Sequence, residues 1–171
     1  MVYHVVRERR GILLFDMKRH LKSGFSILEA IIVVIFVGIL AAVAVYSLSL
    51  TRASSRDTKR VSDVAVIRAS LTQFWLQKAT YPVIQAPVAL GKPGVGADLL
   101  TGDGFVSAAS NGTPIYLQAI PQAPSAGEYY VYHGSASGYS LKFTTERPTA
   151  YGAAGVWYGH ASGVDKIDDE K

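Results

Sequence analysis

Lys22-Ser-Gly-Phe25-Ser-Ile-Leu-Glu29-Ala-Ile-Ile-Val-Val-Ile-Phe-Val-Gly38-Ile-Leu-Ala-Ala-Val-Ala-Val-Tyr46 decides how this chain of 171 residues is read. From Ala30 to Thr51 there are 22 residues without a charge. At about 1.5 Å per residue they reach across a hydrocarbon core of about 30 Å. A soluble core helix of that length would have to be surrounded by the rest of a short chain, so the segment reads as a transmembrane helix. Lys18, Arg19 and Lys22 stand before it and the next charge beyond it is Arg52. Positive residues stay on the cytoplasmic side, which puts the N-terminus inside and the C-terminal region outside.

The charge distribution supports a separate leader. Of 17 basic and 13 acidic side chains, six (Arg7, Arg9, Arg10, Lys18, Arg19, Lys22) and two (Glu8, Asp16) precede Phe25. That leaves eleven of each sign in residues 25–171, so the net charge of +4 belongs to the leader and gives no nucleic-acid footprint to the rest of the chain. Arg52, Arg56, Lys59 and Arg60 form the one other basic cluster. They read as a collar on the outer side of the membrane, as a solvated helix face, or as a DNA-contacting patch, the first two being preferred.

Glu29 is the anomaly. Near the bilayer centre a carboxylate costs about 2.5–3.5 kcal/mol on insertion scales, and less at the interface. Such an acid either awaits a partner or sits at headgroup level as a helix-start residue favourable to the dipole. On these residues alone both readings stand.

Gly24-Phe25-Ser26-Ile27-Leu28-Glu29, followed by Val37-Gly38-Ile39-Leu40-Ala41-Ala42-Val43-Ala44, resembles the prepilin N-terminal motif of type IV pilins and type II secretion pseudopilins. The resemblance implies cleavage between Gly24 and Phe25 by a prepilin peptidase, N-methylation of Phe25, and a role for Glu29 in assembly, pairing with the N-terminal amine of a neighbouring subunit. A secretory signal peptide is cut after its apolar stretch instead. Two buried opposite charges are tolerable only when paired. A head-to-tail contact of that kind does not close on itself and propagates into a filament. The resemblance also favours a short leader, and Met17 to Gly24 would supply one if translation began at Met17. Tyr46 stands where family members commonly carry proline, which leaves Gly38 as the weak point of the helix.

Beyond the membrane the helix is expected to continue. Val61, Val64, Ile67 or Arg68, Leu71, Phe74 and Trp75 recur at spacings of three and four, with Arg60, Asp63, Ser70 and Gln73 at other positions. Tyr81-Pro82 ends the pattern, giving a helix over about 25–79, roughly 80 Å long. Arg56 to Pro82 also resembles the second half of pilin stems. Residues 82–124 hold most of the prolines and read as a long connection, with a short helix around Ala97–Leu100. Glu128–His133 and Tyr139–Thr145, joined by Gly134-Ser-Ala-Ser-Gly138, read as an antiparallel hairpin covering the stem. A third strand is expected at Val156–Tyr158 and a frayed charged ending at Asp165–Lys171.

Catalysis finds little support, and a secreted enzyme is only a third reading. His4, His20, His133 and His160 are scattered, and neither a phosphate-binding glycine loop nor a paired-histidine motif is present. There is no cysteine, so the disulfide that staples many pilins is missing. Calcium often takes that place in the family's major pseudopilins, and Asp98, Asp103, Asp165, Asp168 and Asp169 are possible oxygen ligands. An acidic ending is more simply solvated, and no metal or other cofactor is assigned. Asn111-Gly-Thr113 fits a glycosylation sequon by chance. Tyr129, Tyr130, Tyr132 and Trp157 suit an adhesive patch or, more simply, core packing.

The expected fold is α+β and pilin-like: a long helical stem, half transmembrane and half amphipathic, on a small antiparallel sheet. The divisions are 1–24 leader, 25–51 transmembrane and assembly half, 52–80 amphipathic half, and 81–171 globular region. The expected function is a non-enzymatic structural subunit of a type IV pilus-like filament or a secretion pseudopilus. Its partners would be related pilin subunits, prepilin peptidase, an inner-membrane assembly platform and the bilayer, with nucleic acid only for a competence-type pilus. The alternative is a single-pass anchored extracellular binding domain that does not polymerise, with Glu29 merely interfacial.

Overall fold

A computed structural model describes residues 25–171; the leader 1–24, with Gly24 and the Met17 start, lies outside the described residues. One helix, α1 (Ile27–Lys78), runs for 52 residues without interruption through Gly38 and Tyr46. No proline falls within it, and each of its turns keeps its backbone hydrogen bonds. Residues up to Ala42 form one unit and Val43–Lys171 another.

In the second unit α1 packs on antiparallel sheets, the α+β, pilin-like arrangement expected of the sequence. Val64, Ile67, Leu71 and Phe74 sit on one stripe of the helix and are buried. They meet Tyr130, Tyr132, Tyr139, Leu141, Phe143 and Trp157, which alternate along the strands. The helix stops at Lys78, ahead of Tyr81-Pro82, because Ala79 turns left-handed at φ 53°. Its amide still reaches the Trp75 carbonyl at 2.7 Å. A left-handed C-cap usually uses glycine, so alanine carries strain here.

The larger sheet has strands β1 (Ile84–Ala89), β5 (Val131–Gly134), β6 (Tyr139–Thr145), β7 (Gly155–Gly159) and β8 (Val164–Asp165), in that spatial order. The expected hairpin is β5–β6, with Gly134 opposite Tyr139. The third strand is β7, in register with β6 from Leu141↔Gly159 to Thr145↔Gly155. Pro87 is accommodated because β1 is an edge strand with a register shift between Ile84 and Val88.

The connection read over 82–124 carries four short strands. A smaller sheet, β3 (Gly104–Val106), β2 (Leu99–Thr101) and β4 (Ile115–Leu117), occupies it, and no helix forms at Ala97–Leu100. Leu99, Leu100 and Thr101 are all buried. Gly102-Asp103 closes a two-residue turn that pairs Thr101 with Gly104, so partners on both sides override any helical preference of the short run. Of the two readings of the aromatics, core packing is the one the structure takes: Tyr130, Tyr132 and Trp157 are buried and Tyr129 is half-buried.

The ending is not frayed. Asp165 belongs to β8, which pairs with β7 through Tyr158↔Asp165. The Ala161 amide donates to the Lys171 carbonyl at 3.0 Å. The Ser140 hydroxyl donates to Asp168 Oδ1 at 2.6 Å, which explains why Ser140 is buried among the outward positions of β6.

Candidate functional site

The first half of α1 is apolar on every side and covered on none. Phe25 is 73% exposed, Ile27 81% and Tyr46 67%, and the large apolar side chains between them are likewise exposed. Among the described residues this is the one helix long and apolar enough to cross a membrane. A face so extensive demands a non-aqueous surrounding, since monomers in water rarely expose large contiguous apolar patches.

Phe25 and Ser26 lie just ahead of the helix, and the Ser26 carbonyl accepts the first helical bond from Ala30 N at 3.0 Å. Ser26 therefore occupies the N-cap and Glu29 the third helical position, the spacing of a capping box. The reciprocal side-chain bonds of such a box are not formed: none of the side-chain hydrogen bonds or ion pairs found among the described residues involves Glu29. The carboxylate stands in the first turn as the one charge on the apolar segment. Gly24, the other half of the expected cleavage site, falls outside the described residues.

The second half of α1 has the opposite character. Between residues 53 and 77 its charged residues are Arg56, Asp57, Lys59, Arg60, Asp63 and Arg68, and each is tied to the globular region. Arg60 is the centre, its side chain only 4% exposed. It donates through Nη1 to Asp57 Oδ1 at 2.7 Å and Glu146 Oε1 at 2.8 Å. Through Nη2 it reaches Glu128 Oε2 at 2.7 Å and Ser125 Oγ at 2.8 Å. Nε adds Glu128 Oε1 at 3.0 Å. Asp57 in turn accepts from the backbone amides of Glu146 and Arg147. Arg56 forks onto Glu146, Lys59 donates to Asp63 and to the Gln122 carbonyl, and the Tyr130 hydroxyl donates to Asp63. Arg68 Nε donates to the His160 carbonyl at 3.0 Å.

These contacts set the titration of the carboxyls. The forked hydrogen bonds of Arg56, then those of Arg60, hold Glu146 down to about 2. Burial opposes ionisation of Glu128, yet hydrogen bonds from Arg60 and Thr144 win and hold it below its ordinary value. Burial, and then the bond to Asp63, pushes the Tyr130 hydroxyl up.

Arg56, Lys59 and Arg60 bind the stem to the sheet region, Arg56 and Lys59 while partly exposed, and Arg52 is exposed without an acidic partner among the described residues. Arg60, Asp63 and Ser70, read as lying off the packed stripe, are buried. Beyond the exposed Lys59, the uncharged residues Ser62, Val66, Ala69, Gln73 and Leu76 recur at alternating spacings of four and three, all exposed. Sequence periodicity missed this because it weighs apolar residues only. The usable signal was the acid and base spacing Asp57–Arg60–Asp63.

Among the described residues no three acids or histidines gather as a metal site would require. Asp98 accepts the Ala108 amide, while Asp165 accepts the Ile167 amide at 2.8 Å through Oδ1. Lys171 Nζ lies 3.0 Å from both Asp165 Oδ2 and Asp169 Oδ2. Asp168 is taken by Ser140. An ammonium bridges the two carboxylates that a divalent ion would need, and calcium takes six to eight oxygens.

The chain is 25% identical over 158 residues to type II secretion system core protein G of Klebsiella michiganensis, covering 90% of this chain and 94% of that protein. The protein of the same name from Aeromonas hydrophila is 30% identical over 69 residues, 40% of this chain and 48% of the relative. That from Dickeya chrysanthemi is 25% identical over 108 residues, 63% and 66% respectively. No family model and no solved structure matches.

Proposed function

We propose that this chain, which resembles the type II secretion pseudopilins along nearly its whole length, is a structural subunit that polymerises through α1. It is anchored in the cytoplasmic membrane by the apolar half of the helix, with the N-terminus inside. A prepilin peptidase cuts after Gly24 and leaves Phe25 as the methylated N-terminus. Glu29 then pairs with the amine of a neighbouring subunit, which orders the head-to-tail contact.

The observation that carries this reading is the inverted second half of the stem. A helix face meant for water carries charges, whereas here all six charges between residues 53 and 77 turn to the chain's own globular region. The outward row Ser62, Val66, Ala69, Gln73 and Leu76 is left uncharged, suited to packing against other helices. A merely anchored binding domain has no use for such a face.

The test combines processing with assembly. Peptide mass spectrometry should find a mature chain beginning at Phe25, and the protein should appear in the sheared surface fraction. Glu29→Val should insert in the membrane normally but lose at least about tenfold in filament incorporation. Normal incorporation of that variant would favour the anchored domain; an intact leader in cells holding the peptidase would discard both processing and filament.

A further inference from the structure

The segment after β7 is fastened by groups of the chain itself, from three directions. His160 is fully buried, its Nδ1 3.0 Å from the Tyr139 carbonyl and its Nε2 3.0 Å from the Ile167 carbonyl and 3.2 Å from Asp165 Oδ1. Ser140 holds Asp168 from the sheet. At the hairpin loop, a Cβ on Gly138 would lie 2.5 Å from the Glu170 carbonyl oxygen, so the segment is seated directly on the glycine backbone. Asp165 and Asp169, four residues apart, would repel each other across this turn without a cation between them. The cation present is the ammonium of Lys171, 3.0 Å from each.

We infer that Lys171 is a built-in cation that straps residues 160–171 onto the sheet, so that this end of the domain keeps its shape without a divalent metal. The bridge is the right kind for that task. A lysine ammonium has three donors, and two are directed at carboxylate oxygens otherwise left facing one another. Asp165 is held below its ordinary value by the Ile167 amide and then by Lys171, and Lys171 is raised by Asp165 and then Asp169. Asp169 Oδ1 is buried with no hydrogen-bond partner, 3.8 Å from His160 Nε2. The inference does not depend on polymerisation and would stand for an anchored monomer.

Hydrogen exchange of the full chain in detergent micelles reads it directly, because the Ala161 amide donates to the Lys171 carbonyl. Peptides covering residues 160–171 are compared in millimolar calcium and in chelator, for the wild type, Lys171→Met and Lys171→Arg. The wild type should exchange equally in both media. Lys171→Met should exchange at least about fivefold faster over 160–171 with β5 and β6 peptides unchanged, and Lys171→Arg should restore most of the protection. Loss of wild-type protection in chelator with recovery in calcium would overturn the inference, as would a Lys171→Met segment as protected as the wild type.

Discussion

The two halves of α1 are built of one continuous helix and solve opposite problems. Residues 27–50 are apolar on all sides and uncovered, with a single carboxylate at Glu29. Residues 53–77 carry six charges, and every one reaches an atom of the chain's own globular region. Hydrophobicity alone places the first half, since a lipid or protein surrounding of any detail satisfies it. The second half is fixed by matched hydrogen-bonding geometry, which satisfies one arrangement only. One helix is therefore uncovered where it is apolar and firmly seated where it carries its domain.

The contrast is most directly broken at Arg60. Arg60→Ala leaves Asp57 buried beside Glu128 and Glu146 without their common cation, and should cost about 3–5 kcal/mol. Denaturant unfolding of the domain checks this. The same measurement on Val34→Ala should show less than about 0.5 kcal/mol, as expected for a residue outside the folded unit.

Acid should reveal the same network more gently. Glu146 and Glu128 titrate below their ordinary value near 4.5 when folded, Glu146 at about 2. The stability they confer is therefore present above about pH 4.5 and is lost as pH falls toward 2. The melting temperature should be flat between about pH 8 and 5 and fall below about 4.5, with a shallower acid slope in Glu146→Gln. An equal slope in that variant would remove Glu146 from the network.

The smallest effect lies where the stem ends. Ala79 adopts φ 53° without being glycine. Ala79→Gly relieves the left-handed strain, partly offset by unfolded-chain entropy, and should raise stability by about 0.5–1 kcal/mol. A loss of stability would mean that the Ala79 side chain contributes packing that outweighs its strain.

Much of this was legible in residue order. The 22 uncharged residues, the alternation Tyr139–Leu141–Phe143 and the small-residue loop before it each depend on neighbours close in sequence. The misreadings share the reverse property. Ala97–Leu100 looked helical until strands from 104–106 and 115–117 paired on either side of Leu99–Thr101. The ending looked frayed because Ser140 and Asp168 are 28 residues apart. Glu29 lies between, since its position was plain in the sequence while no described residue of the chain pairs with it.

The sequence by itself determined a membrane-length helix headed by one acid, an amphipathic continuation and a β hairpin, because those arise from local periodicity and from the cost of placing charge in hydrocarbon. Only the tertiary structure decided which way the stem's charges point. Arg60 meets Glu128 across 68 residues and Arg56 meets Glu146 across 90. A charge in sequence is compatible with water or with any opposite charge; which one it takes is settled when the folded backbone brings a particular carboxylate within hydrogen-bond reach and, around Arg60, removes the solvent that would otherwise compete.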